Sequence, residues 1–194
     1  MWSDFPKKKF NIIQIAGICG IFIPVVIFTC LGFSIGSSPW FTWTQHALSD
    51  LGIQQNTAWV FNNGVILGGI LTFIFSFGLL QILSNKIGAY LLLLSSVALI
   101  GIGIFPETIF VVHYITSASF FILLIIALLI IGLTSKKKNT FEYKIGICAL
   151  VFALIALSSI IFLFYFEGIT IPEAFSCFPA FIWCSMVGIH MAHR

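Results

Sequence analysis

The stretch Ser38–Asn63 reads SPWFTWTQHALSDLGIQQNTAWVFNN and is the one long connection in a chain otherwise made of apolar runs. It carries three of the five tryptophans, one of the four histidines (His46) and one of the six acidic residues (Asp50). Its limits fix where a first span stops and a second begins, and the rest of the chain is read outward from it.

A bilayer core takes about 20 apolar residues per helical span. Runs of that kind fall at about 11–33, 58–83, 88–105, 110–134, 145–166 and 174–191. They are separated by Asn85 and Lys86, by Pro106 and Glu107, by the lysines from Lys136 to Lys144, and by Glu167 to Glu173. The composition agrees: 60% of residues are hydrophobic and 8% charged, against about 25% charged in a soluble domain. Mean hydropathy is +1.13. The expectation is an all-α integral membrane protein, residues 1–194 forming one six-transmembrane-helix bundle in the cytoplasmic membrane.

The net charge of +3 is not a nucleic-acid signal, because the basic residues are divided among short loops rather than gathered on one face. With the N-terminus placed in the cytoplasm, every Lys and Arg falls inside: Lys7, Lys8, Lys9, Lys86, Lys136, Lys137, Lys138, Lys144 and Arg194. Asp50, Glu107, Glu167 and Glu173 then fall outside, and both termini are cytoplasmic. Lys7–Lys9 before an apolar run also resembles a signal peptide. The run is too long for one, which favours an uncleaved first span. The five cysteines show no metal-type spacing and read as small buried apolar residues. Cys30 and Cys177 fall near the outer ends of spans, where a disulfide is conceivable.

Within the opening stretch, Ser38 followed by Pro39 has the form of a helix start, and Gly52 that of a helix end. The pattern predicts a short interfacial helix over 39–51. Trp40 and Trp43 suit the headgroup level. On such a helix His46 and Asp50, four residues apart, share a face. That pair suits a base with its orienting acid, two metal ligands, or a surface ion pair.

Further along, Asn62 and Asn63 open the second span, where an amide must find a partner inside the bundle. Gly64 and Gly68 give small-xxx-small spacing for a close helix neighbour, within the chain or through self-association. The span serines and threonines read as packing. Glu107 ends the third span and His113 begins the fourth, so His46, Asp50, Glu107 and His113 would stand on one side of the membrane. Such a set could hold a divalent metal or do acid–base work. The bland reading of His113 is a buried ring satisfied by a serine or a carbonyl. Thr170–Glu173 reads as a capping box, with Glu173 capping the sixth span. Glu167 is either a solvated span end or part of the rim. His190 and His193 are boundary residues beside Arg194, and Trp59, Tyr165 and Trp183 are interface or packing aromatics. Ser49 beside Asp50 does not face it on a helix and makes a poor nucleophile. No Walker loop, HExxH or GxSxG occurs.

The run HALSDLG (His46–Gly52), FNNG (Phe61–Gly64) and FPE (Phe105–Glu107) followed by His113 resembles a family of prokaryotic six-span membrane proteins catalogued as a domain of unknown function. That family has a distant likeness to DRAM and Sfk-type membrane proteins. The resemblance implies a six-helix bundle with the motif residues at the outer side, and it supplies no activity.

Two functions remain open. In one, a lipid-binding or scaffolding protein uses its polar residues to pin the outer connection to the bundle. In the other, a membrane hydrolase acts on a lipid headgroup. There His46, Asp50, Glu107 and His113 would be catalytic or metal-binding, and Asn62, Asn63 and Trp43 would bind substrate. Ion-coupled transport is a weaker third, lacking repeats and midplane charges.

Overall fold

Asn11 starts the first helix by accepting a hydrogen bond from the Gln14 amide at 2.8 Å, while the Gln14 side chain accepts one from the Asn11 amide at 3.2 Å. This reciprocal pair satisfies two donors that a helix start leaves open. From there the computed structural model, which describes residues 11–136 and 140–194, is helical along most of its length. The helices are α1 (Ile12–Gly36), α2 (Ala58–Ile82), α3 (Ile87–Ile104), α4 (Phe110–Thr134), α5 (Thr140–Ser158, continued as a 3-10 helix over Ser159–Phe164) and α6 (Thr170–Ala192). All six are long and apolar enough to cross a membrane. Large apolar side chains such as Leu133 and Phe164 point outward, 72% and 84% exposed. Helices apolar all round are those of a bundle bathed in lipid.

Neighbours in sequence are neighbours in space, and α6 closes the ring by packing on α1. The α1–α6 crossing depends on two glycines facing one another. A Cβ on Gly17 would sit 2.7 Å from the Gly188 carbonyl oxygen, so the backbones approach as only small residues allow. Polar groups bridge other pairs. Trp183, fully buried, donates from Nε1 to the Ile145 carbonyl at 2.8 Å, joining α6 to α5, and Ser95 donates to the Phe120 carbonyl at 3.1 Å, joining α3 to α4. Gly64 and Gly68 face Cys30 and Ile27 of α1. The close approach that their spacing allows is therefore made within the chain, and that face is not free for a partner.

Because α1 and α6 run antiparallel, Gly17 near the start of one meets Ala192 near the end of the other. The described cations Lys86, Lys136, Lys144 and Arg194 all belong to this end of the bundle, called here the basic end. Lys7–Lys9, Lys137 and Lys138, which also enter the orientation argument, lie outside the described residues. Here Glu142 is buried and accepts from the Ser84 amide at 3.0 Å and the Ser84 hydroxyl at 2.8 Å. His190 stacks on Phe141 with ring centroids 3.5 Å apart. Because Glu142 is drawn inside in this way, α5 begins at Thr140, earlier than the lysine-rich separator suggests.

The expected interfacial helix over 39–51 does not form. Residues 39–47 are turns, and only Leu48–Gly52 is helical, as a 3-10 segment. Ser38 does not cap a helix: its hydroxyl is buried without a partner, and its carbonyl accepts from Phe41 in a tight turn. Thr42 is engaged by the His46 ring, through amide and hydroxyl contacts to Nδ1 at 3.2 and 3.1 Å. Side chains that bond to nearby backbone in this way compete with helix formation. The Thr44 and His46 carbonyls are also committed elsewhere, to the amides of Gly168 and Thr170 at 2.9 and 3.0 Å.

Candidate functional site

At the end opposite the cations, the 38–57 connection folds back over the bundle. Four residues, Leu31, Leu48, Leu51 and Phe61, form a small apolar cluster that seats it. Thr57 and Asn62 hold its far side, donating to the Leu51 carbonyl at 2.8 Å and the Gly52 carbonyl at 2.9 Å. Its near side is strapped to the start of α6. Besides the two backbone hydrogen bonds from the Gly168 and Thr170 amides, the Thr170 hydroxyl donates to the His46 carbonyl at 2.6 Å. Gly168 is required here, since a Cβ would collide with the backbone of Gln45 and His46.

Three carboxyls converge beneath this strap. Asp50 accepts from the Ala47 amide at 2.9 Å, and Glu173 accepts from the Leu48 amide at 2.7 Å, across 125 residues of sequence. Glu107, from the turn between α3 and α4, meets Asp50 side chain to side chain, and Glu173 lies within electrostatic range of both. A carboxylate set beside another is harder to ionise. Burial foremost, then the bond to Asp50 and its charge, hold Glu107 above the usual carboxylate range, with His113 opposing. The Glu107 Oε2 is enclosed and receives no donor.

Glu173 thus corrects the capping-box expectation. Ile169 occupies the cap position of α6 without a side-chain bond, and both Thr170 and Glu173 reach across to the connection instead. No local pattern could reveal partners so distant in sequence.

The other expected site residues are dispersed. His46 is turned back on its own loop, its ring stacked on Phe41 at 5.8 Å and edge-on to Trp40 at 5.0 Å. The HxxxD pair is therefore not a facing pair, because the helix that would align it is absent. His113 is buried, with Nδ1 2.8 Å from the Phe105 carbonyl and Nε2 3.3 Å from the Ser117 hydroxyl. A carbonyl only accepts, so Nδ1 donates there. The ring is satisfied by both a carbonyl and a serine while remaining near Glu107. Asn63 is exposed and bonds back to the Trp59 carbonyl at 2.7 Å, and Trp43 is exposed against Phe41. Asn62 fixes Gly52 and so shapes the site without facing it. Among the described residues, no group of three or more His, Cys, Asp or Glu has the geometry to hold a metal ion.

Next to the carboxyls is a cavity of about 70 Å³, lined by apolar side chains of α1, α2, α3, α4 and α6 and by Leu48, Ser49 and Glu173. One water needs about 10–15 Å³ of such space, so the cavity has room for a few water-sized groups, such as the end of a hydrocarbon chain. Cys30 and Cys177 line it as free thiols.

In comparison with known proteins, the family model described as Protein of unknown function (DUF998) matches residues 18–190. No curated protein and no solved structure matches the chain. The likeness to DRAM and Sfk-type proteins is not shown by these comparisons.

Proposed function

We propose a function from one premise: the chain belongs to the family described as Protein of unknown function (DUF998), a membership that brings no assigned activity to its six apolar helices. The protein is a lipid-binding protein of the cytoplasmic membrane, oriented by its cations with the carboxyl end outward. An apolar chain of the lipid occupies the cavity and its polar end meets the carboxyls.

The cavity carries this reading. Apolar walls such as Ile27, Phe61, Ile102, Phe120 and Phe181 offer nothing to a water-soluble metabolite and favour hydrocarbon. The connection that roofs it is held by specific bonds, which fits a site with a cover. Hydrolysis, the second reading, has one observation in its favour: Glu107 meets the Asp50 carboxyl and is held above the usual carboxylate range, as one member of a catalytic carboxyl pair is.

Native mass spectrometry of protein extracted in a mild nonionic detergent tests the proposal. Wild type should retain one lipid, and Val65→Phe, which fills the cavity from α2, should lose it while keeping its fold. No retained lipid in wild type, or equal retention by the variant, would overturn lipid binding at this cavity. Release of lipid fragments by wild type, abolished in Asp50→Asn, would move the assignment to the hydrolase.

A further inference from the structure

We infer that Ser117 is a nucleophile, activated by His113, that takes an acyl group from an ester-bearing lipid reaching this cavity. The inference goes beyond lipid binding and rests on it, because the ester must first be held there.

Four side chains on the cavity lining carry a hydroxyl or a thiol nucleophile: Cys30, Ser49, Ser117 and Cys177. Among the described residues, only Ser117 of these has a base bonded to it, the His113 Nε2 at 3.3 Å. The tautomer follows from the other side of the ring. Nδ1 lies 2.8 Å from the Phe105 carbonyl, which only accepts, so Nδ1 carries the proton of the neutral ring and Nε2 keeps its lone pair. The Ser117 hydroxyl is therefore the donor in its bond to the base. Nucleophile, base and orienting acceptor follow one another, with a carbonyl standing where a catalytic triad has a carboxylate.

This bond is not the ordinary habit of a helix serine. Ser34, Thr72, Ser76 and Ser135 each donate to the carbonyl four residues earlier, at 2.6 to 2.9 Å. For Ser117 that carbonyl belongs to His113, and the hydroxyl engages the ring of the same residue instead. The neighbouring Thr116 donates to the His113 carbonyl, at 2.9 Å. Four residues apart on α4, His113 and Ser117 share a face through the helix itself. The base is buried while the nucleophile lines the hollow. Ser49 lines the same hollow from the connection, and its hydroxyl has no partner among the described residues. It is the lining donor available to the oxygen of a tetrahedral intermediate.

In the reaction, Ser117 Oγ bonds to the ester carbonyl carbon as its proton passes to His113 Nε2. The bond from that carbon to the alcohol oxygen then breaks, and the alcohol leaves with the proton from Nε2. Water is the co-reactant that attacks the acyl-serine, again giving its proton to Nε2, which returns it to Ser117 Oγ as the acid departs. The net change is ester and water to acid and alcohol, with nothing oxidised or reduced.

The test treats the full chain, in a mild nonionic detergent, with ethyl butylfluorophosphonate, a probe that phosphonylates activated serines, and reads the adduct by intact mass and peptide mapping. Wild type should gain one adduct, on Ser117. Ser117→Ala should gain none and should lose hydrolysis of para-nitrophenyl butyrate, and Val65→Phe, which fills the cavity, should lose most of the labelling. His113→Gln should label about a hundredfold more slowly, the loss expected of a general base. Ser117→Ala keeps the His113 ring and carries the test if His113→Gln does not fold. No adduct on Ser117 in wild type that retains its lipid would overturn the acyl-transfer inference and leave lipid binding standing. Hydrolysis undiminished in Ser117→Ala, or equal labelling rates in wild type and folded His113→Gln, would overturn it in the same way. No adduct together with no retained lipid would remove both.

Discussion

The two ends of the bundle treat a buried carboxyl in opposite ways. At the basic end Glu142 is met by two donors from one residue, the Ser84 amide and hydroxyl. At the acidic end Asp50, Glu107 and Glu173 are set against each other, and one enclosed oxygen has no donor at all. A carboxyl answered by donors is a structural tie between α5 and the α2–α3 turn. Carboxyls set near one another with one oxygen undonated retain unused acceptor capacity.

The sharpest way to break this contrast is Glu142→Ala. It strands the Ser84 amide and hydroxyl, and a loss of about 2–4 kcal/mol is expected from two buried groups left unsatisfied, read as a lower melting temperature in detergent. Next in size, His113→Ala removes the donor to the Phe105 carbonyl and should cost about 1–3 kcal/mol. His46→Ala at the exposed loop should cost under about 0.5 kcal/mol. Equal losses for the two histidines would contradict their different burial.

The smallest effect has the opposite sign. Glu107 has a raised pKa in the folded protein, so folding holds its proton more tightly than the unfolded chain does. Stability is full below the ordinary carboxylate pKa and falls as pH rises from there through the raised value. Glu107→Gln should remove this decline. It should match wild type in acid and exceed it above neutral pH by under about 1 kcal/mol, because water reaches the half-exposed group and screens it. A wild-type melting temperature that rises with pH over that window would show that the pair is not as described.

The spans were legible because each is a long apolar run, a signal that depends on nothing elsewhere in the chain. The start of α5 was harder to read. Glu142 and Lys144 look like loop residues until the Ser84 contact that draws Glu142 inside is known. The 39–51 stretch carried correct helix signals at Ser38, Pro39 and Gly52, and they were overridden by backbone hydrogen bonds from the Gly168 and Thr170 amides. The site was half legible. Asp50 and Glu107 could be placed on one side from topology alone, whereas Glu173 was read as a cap because its true partner, Leu48, is remote in sequence. His46 was drawn into the site by an i,i+4 rule that applies only on a helix.

The bond from Leu48 to Glu173 also sets a timetable. A chain made from its N-terminus has its first connection in place while 125 residues still separate Leu48 from the carboxyl that will fasten it. At about 5–20 residues per second that interval is roughly 6–25 s. Until the last helix inserts, the connection has neither its strap nor its latch, and the nascent protein carries five spans around an unroofed hollow. The roof closes only when α6 packs, and a chain cut short before α6 would lack the strap, the latch and one wall of the hollow.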